Sequence, residues 1–141
     1  MSEVVDLADS LCWQAFELWE QGRMSAALPL YETSARMGHS SAQIHLGNLM
    51  DDHVEPRQPL KAIHWYVCAY RNQEPMAAWN LAMHYVSRGN RRWFRFWMKK
   101  AAEAGHEEAI AELRKLDFAP GYITVLPFIE QDNDPYEPDA E

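Results

Sequence analysis

Apolar residues recur at spacings of three and four along most of the first 116 positions of this chain, with polar residues between them. That period marks amphipathic helices. The segment SAQIHLGNLMDD, residues 41–52, puts Ala42, Leu46 and Met50 on one stripe and predicts a helix. The next, PLKAIHWYVCAYRN at 59–72, begins with a proline suited to a first turn and turns Ala62, Tyr66 and Ala69 inward. Pro75 opens a further helix and Gly89 ends it. Asn90 is placed to cap RRWFRFWMKKAAEA, which Gly105 ends. Upstream, helices are predicted over about 6–21 and 25–37, with Gly22 as the stop and Ser25 as an N-cap. Downstream, EEAIAELRKL predicts a last helix over 107–116. Gly47, inside the 41–52 helix, costs roughly 1 kcal/mol against alanine, so it marks a point where a neighbouring helix comes close. Residues 117–129 change to Pro, Gly and β-branched positions and are expected to form an extended cap.

The helices repeat. Ala42, Ala77 and Ala109 each precede an apolar residue by four (Leu46, Leu81, Leu113), at steps of 35 and 32. Leu30-Tyr31, Trp65-Tyr66 and Trp97-Met98 keep the same steps. So do Gly38-His39 and Gly105-His106, with Gln73-Glu74 where the motif is lost. Such a period predicts stacked helix pairs. The expected architecture is all-α: a right-handed α/α solenoid of about three and a half helix-turn-helix repeats in one domain, 1–129. The repeats fall at about 10–40, 41–74 and 75–106, with a partial one at 107–116. Residues 130–141 hold six acids and no base and are expected to be a disordered tail.

The strings LGNLM (46–50), KAIHWY (61–66) and KKAAEAGHEEA (99–109) resemble the Sel-one-like repeat, a relative of the tetratricopeptide repeat, over about residues 10–116. The chain departs from that family where DDHVEPRQP replaces its Gly-x-Gly-Val loop. The resemblance implies an α/α solenoid that binds other proteins. Its members include adaptors in signalling and protein-quality control, and bacterial immunity proteins that neutralise a cognate toxin. A short acidic chain suits the last use against a basic toxin, with a small adaptor or scaffold in signalling or secretion as the alternative.

Charge sharpens this picture. The chain has 13 Lys+Arg against 21 Asp+Glu, a net charge of -8, which argues against nucleic acid or an anionic membrane as the general partner. Two cysteines 56 positions apart, acids in place of a basic leader, and no apolar run long enough to cross a bilayer point to a cytoplasmic protein. None of the six histidines forms an i, i+4 pair, and no phosphate loop, nucleophile elbow or dinucleotide fingerprint is present. No cofactor, metal or catalytic residue is expected.

The aromatics carry more. Tyr31, Trp65, Tyr66 and Trp97 fall on repeat-core positions, whereas Trp13 and Trp79 do not. If the first helix of each repeat lines the concave face, Trp13, Ile44 and Trp79 form one row there. Glu17, Asn48 and Met83 form the next, and Glu20, Asp51 and Val86 follow. Aromatic anchors beside a flexible Met and acids compose a protein-binding surface, so Trp13, Trp79 and Met83 are expected to supply affinity and Glu17, Glu20 and Asp51 orientation. The competing surface is RGNRRWFRFWMKK at 88–100. There Arg88, Arg91, Arg92, Arg95, Lys99 and Lys100 alternate with Trp93, Phe94, Phe96 and Trp97, a composition that can bind single-stranded nucleic acid. Helical period turns much of that aromatic set inward. The chain is expected to be a monomer or a weak homodimer, the latter through self-association at a free solenoid end.

Overall fold

The computed structural model describes residues 2–118, with side chains for 6–115; the acidic tail and positions 119–129 of the expected cap lie outside the described residues. Within them the protein is all-α, with seven helices and no strand. The helices are α1 (Ser2–Glu20), α2 (Met24–Arg36), α3 (Ser40–Asn48), α4 (Pro59–Arg71), α5 (Pro75–Ser87), α6 (Arg91–Glu103) and α7 (Glu107–Phe118). They fall into two compact units that divide between Asn72 and Gln73.

Turn chemistry sets these boundaries. Gly22, Gly38, Gly89 and Gly105 all take positive φ, between 74° and 96°, where a glycine meets no steric penalty. Each closes a Schellman motif. Gly38 N–H donates to Ala35 O and His39 N–H to Ser34 O; Gly105 and His106 repeat the pattern on Ala102 and Ala101. The following histidine then starts the next helix. His39 Nδ1 accepts from Ala42 N–H at 3.2 Å, and His106 Nδ1 from Ala109 N–H at 3.3 Å. The Gly-His pair is thus a stop and a cap in two residues. At the third position of this track Gln73 takes φ 66° although it is not glycine, and Glu74 makes no side-chain cap. The left-handed φ survives where the motif has gone. Asn90 caps α6 as its position predicts, accepting from Trp93 N–H at 3.2 Å.

In the first unit Ala8, Ala15, Tyr31, Ala42, Leu46, Ala62 and Tyr66 are buried, so the small-residue positions lie where helices meet. Gly47 lies against α4: a Cβ there would stand 2.6 Å from Tyr66 Cε1 and 2.8 Å from Cδ1. The Tyr66 hydroxyl donates to Asn48 Oδ1 at 2.6 Å and holds that ring in place. Polar links between helices are few and specific. The Ser34 hydroxyl donates to Ala8 O at 2.6 Å, joining α2 to α1, and Gln43 Nε2 donates to Ala35 O at 3.1 Å, joining α3 to α2. Buried groups of this kind require partners. In the second unit Ala77, Leu81, Tyr85, Trp93, Phe94 and Trp97 form the core, with Ala109 against it from α7.

Four expectations need correction. Ser25 lies inside α2 and caps nothing; Arg23 holds the N-cap position without a side-chain bond, because the Schellman turn at Gly22 brings the chain into the helix one residue early. The 41–52 helix stays α-helical only to Asn48 and finishes as a π turn, Leu49–His53, closed by Val54 N–H on Leu49 O. Asp117 and Phe118, expected to begin the extended cap, continue α7. Trp65 is half-buried rather than core and meets His64 edge-on. Tyr31, Tyr66 and Trp97 are buried as their repeat positions predict.

Candidate functional site

Helix α1 carries an aromatic every third residue. Trp13, Phe16 and Trp19 meet in sequence, Trp13 edge-on to Phe16 at 6.1 Å and Phe16 tilted to Trp19 at 6.2 Å. Three residues fall short of a full turn, so the row slants across the helix and reaches α3. There Phe16 contacts the His45 ring at 5.9 Å, and His45 stacks on Tyr31 of α2 at 5.3 Å. His45 therefore sits as a wedge between rings from two other helices. A cleft opens on each side of it.

The first cleft, of about 300 Å³, is bordered by Asp9, Cys12, Trp13, Phe16, His39, Ser41 and His45. The second, of about 350 Å³, is bordered by Trp19, Tyr31, His45, Asn48, Leu49, Asp52 and His53. Trp13 is 61% exposed, the most exposed large apolar side chain among the described residues. Helices α1 and α3, with the π turn that ends α3, are strongly one-signed. Helix α1 holds Glu3, Asp6, Asp9, Glu17 and Glu20, while α3 and its π turn add Asp51 and Asp52, and none of these elements carries a Lys or Arg.

The ionisable groups of the first cleft are arranged as follows. His39 Nδ1 accepts the Ala42 amide, so the ring proton lies on Nε2, which donates to Asp9 Oδ1 at 3.1 Å. Both nitrogens are then occupied. Burial, helped by the nearby Asp9 carboxylate, pushes the Cys12 thiol up to about 11. Asp9, Cys12 and His39 thus share a cleft without forming a nucleophilic set: the thiol is neutral and the imidazole is committed to a cap. Burial, and then His39, lowers the pKa of His45. Burial likewise raises Tyr31, to about 12. Among the described residues no group of three or more His, Cys, Asp or Glu is placed to hold a metal ion.

The predicted positions sort by unit. Trp13 is on the surface as expected, and Asn48 borders the second cleft. Glu17 and Glu20 are exposed on α1 but border neither cleft, and nor does half-buried Ile44. Asp51 departs from its expected place: it is 6% exposed and already held in an interaction. The π turn closes over five residues instead of four, so each residue rotates less. Asp51 stays on the buried side and Asp52 takes the place at the cleft. Phe16, Trp19, His45 and Asp52 had no part in the expected surface. Their signal was the three-residue spacing of Trp13, Phe16 and Trp19, which a repeat alignment by fours passes over.

In the second unit Trp79 is half-buried, with its ring stacked on His106 at 4.7 Å and 8° between planes; Met83 and Val86 are half-buried beside it in sequence. The basic run divides as its period predicts. Trp93, Phe94 and Trp97 are buried, leaving Arg92, Arg95 and Lys99 exposed. Arg92 lies over the Trp93 ring at 5.3 Å, and Lys100 lies over Phe96 at 5.4 Å and near Glu103 at 3.9 Å. Arg88 is used locally, donating to His84 O and to the Ser87 hydroxyl, and Arg91 is half-buried and engaged. Rings that would stack on bases are therefore mostly enclosed.

No helix of the described residues is long and apolar enough to cross a membrane. In comparison with known proteins, the chain matches no family model, no curated protein and no solved structure.

Proposed function

We propose that this chain is a non-catalytic Sel-one-like interaction module that binds a partner protein through the α1–α3 face of its first unit. The observation that carries this reading is the exposed Trp13 at the rim of a cleft, backed by Phe16 and His45. Aromatic anchors beside a pocket account for most of the affinity of typical interfaces. The acids of α1, Asp52 at the second cleft and the net charge of -8 favour a basic partner through electrostatic steering. Within the roles that the resemblance implies, neutralisation of a basic toxin in the cytoplasm fits that chemistry best.

The test is affinity capture from native extract with the wild-type chain and Trp13→Ala, each with and without nuclease, followed by titration of the captured protein against both. One stoichiometric partner, bound tightly by wild type and lost by Trp13→Ala while the helical melt is unchanged, supports the reading. Capture that Trp13→Ala leaves unaltered refutes it. Capture that nuclease abolishes and Arg92→Ala/Arg95→Ala removes moves the function to the basic face of α6.

A further inference from the structure

The first cleft has a corner of two aromatic rings, an acid at its edge and no Lys or Arg among its bordering residues. Trp13 and Phe16 stand at 89° to each other, so one wall presents a ring face where the other presents an edge. Asp9 is 58% exposed, and His39 occupies its Oδ1; Oδ2 has no further partner among the described residues. The remaining borders are the Cys12 thiol, the Ser41 hydroxyl and the His45 ring. Because burial lowers its pKa, His45 brings no positive charge to the cleft near neutral pH. A planar cation is the group that this combination suits. Guanidinium stacks on an indole face and donates to a carboxylate in the same plane, which the compact, strongly hydrated ammonium of lysine does less well.

We propose that the cleft between α1 and α3 receives an arginine side chain of the partner protein, its guanidinium lying on Trp13 and donating to Asp9 Oδ2. This rests on the reading of that face as a protein-binding surface and names the residue recognised there. Charge complementarity selects the occupant: Asp9 is the acid bordering this cleft, none of its bordering residues is Lys or Arg, and the chain carries a net charge of -8. His39 contributes as a positioning residue. By capping α3 through Nδ1 and donating to Asp9 through Nε2, it ties the carboxylate to the helix that forms the opposite wall. The cation thus meets an oriented acid, and less of the binding energy goes into ordering it.

The experiment is an NMR titration of the full chain with a short, otherwise uncharged peptide containing one arginine, and with the same peptide carrying citrulline or lysine instead. The arginine peptide is expected to shift the Trp13 indole and the Phe16 and His45 ring signals, with little change at Trp79. Asp9→Asn keeps the Oδ1 acceptor for His39 but removes the charge and turns the Oδ2 acceptor into an NH2 donor; it should weaken binding at least roughly tenfold, in line with the loss of a charge-assisted bond. Trp13→Ala, a change at an exposed site, should abolish the shifts with the melt unaltered. Equal binding of the citrulline or lysine peptide, or an affinity that Asp9→Asn does not change, would overturn the arginine assignment. The capture experiment could still succeed in that case, so failure here is separable from failure of the protein-binding reading. Self-association of the chain that Trp13→Ala abolishes would overturn the assignment in favour of a second copy as occupant.

Discussion

Replacing Gly47 with alanine sets two physical effects against each other, and the structure decides between them. Alanine gains about 1 kcal/mol of helix propensity over glycine in a helix interior. The added methyl would stand 2.6 Å from Tyr66 Cε1, 2.8 Å from Cδ1 and 3.1 Å from Cζ, where ordinary carbon contacts are about 3.5–4.0 Å. The ring must move by about 1 Å to restore such a contact. Tyr66 is buried, and its hydroxyl is fixed on Asn48, so that movement disturbs packed neighbours and a 2.6 Å hydrogen bond. Overpacking costs about 1–3 kcal/mol and the lost bond about 0.5–1.5 kcal/mol. The net expectation is a loss of about 0.5–3.5 kcal/mol after the propensity gain is subtracted. Urea unfolding followed by far-UV circular dichroism should show a lower midpoint with an unchanged slope. In a Tyr66→Ala background the methyl has room, and the same substitution should stabilise by up to about 1 kcal/mol. The reversal of sign is the test. Stabilisation by Gly47→Ala in the wild-type background would refute the close approach of α4 to Gly47.

Four further outcomes are expected. Gln73→Gly should stabilise by about 0.5–1 kcal/mol, since a left-handed residue with a side chain costs about 1–2 kcal/mol and added glycine entropy offsets part of the gain; a lower unfolding midpoint would contradict it. His39→Ala and His106→Ala should each cost about 0.5–2 kcal/mol by uncapping α3 and α7, measured by the same unfolding curves. Since the folded state lowers the pKa of His45, the unfolded chain binds that proton more readily; stability should therefore be full above the ordinary value of 6.5 and fall as pH drops below it. His45→Phe should flatten that limb. Cys12 is buried with its thiol pushed up to about 11, and Cys68 is half-buried, so alkylation at mildly alkaline pH should label Cys68 first; equal rates would show that α1 opens readily.

Much of the all-helical framework was legible because its punctuation is local. Pro59, Pro75, Gly89, Asn90 and Gly105 act within a turn of where they stand, so their residue types alone located helix ends. The buried small residues Ala42, Ala77 and Ala109 were legible for the same reason, as period-keeping positions. The candidate site was less so. Placing Asp51 on the surface assumed uniform α-helical rotation, and the π turn at 49–53 breaks that assumption. His45 as a wedge between Phe16 and Tyr31 depends on three helices meeting, which no spacing within one helix encodes. Trp13 was found because it fits no core position; Phe16 and Trp19 were missed because the repeat does not preserve them.

The Gly-His turn is a portable part. Its stop and its cap are both completed by bonds to backbone atoms within a few residues, and it looks the same at 38–39 and at 105–106. Such a dipeptide can be transplanted without reference to the faces of the helices that it joins. The natural recipient is Gln73-Glu74, where the φ is already left-handed and the cap is missing. Grafting Gly-His there would regularise the three junctions and leave the helix faces, where partners are chosen, free to be redrawn one at a time.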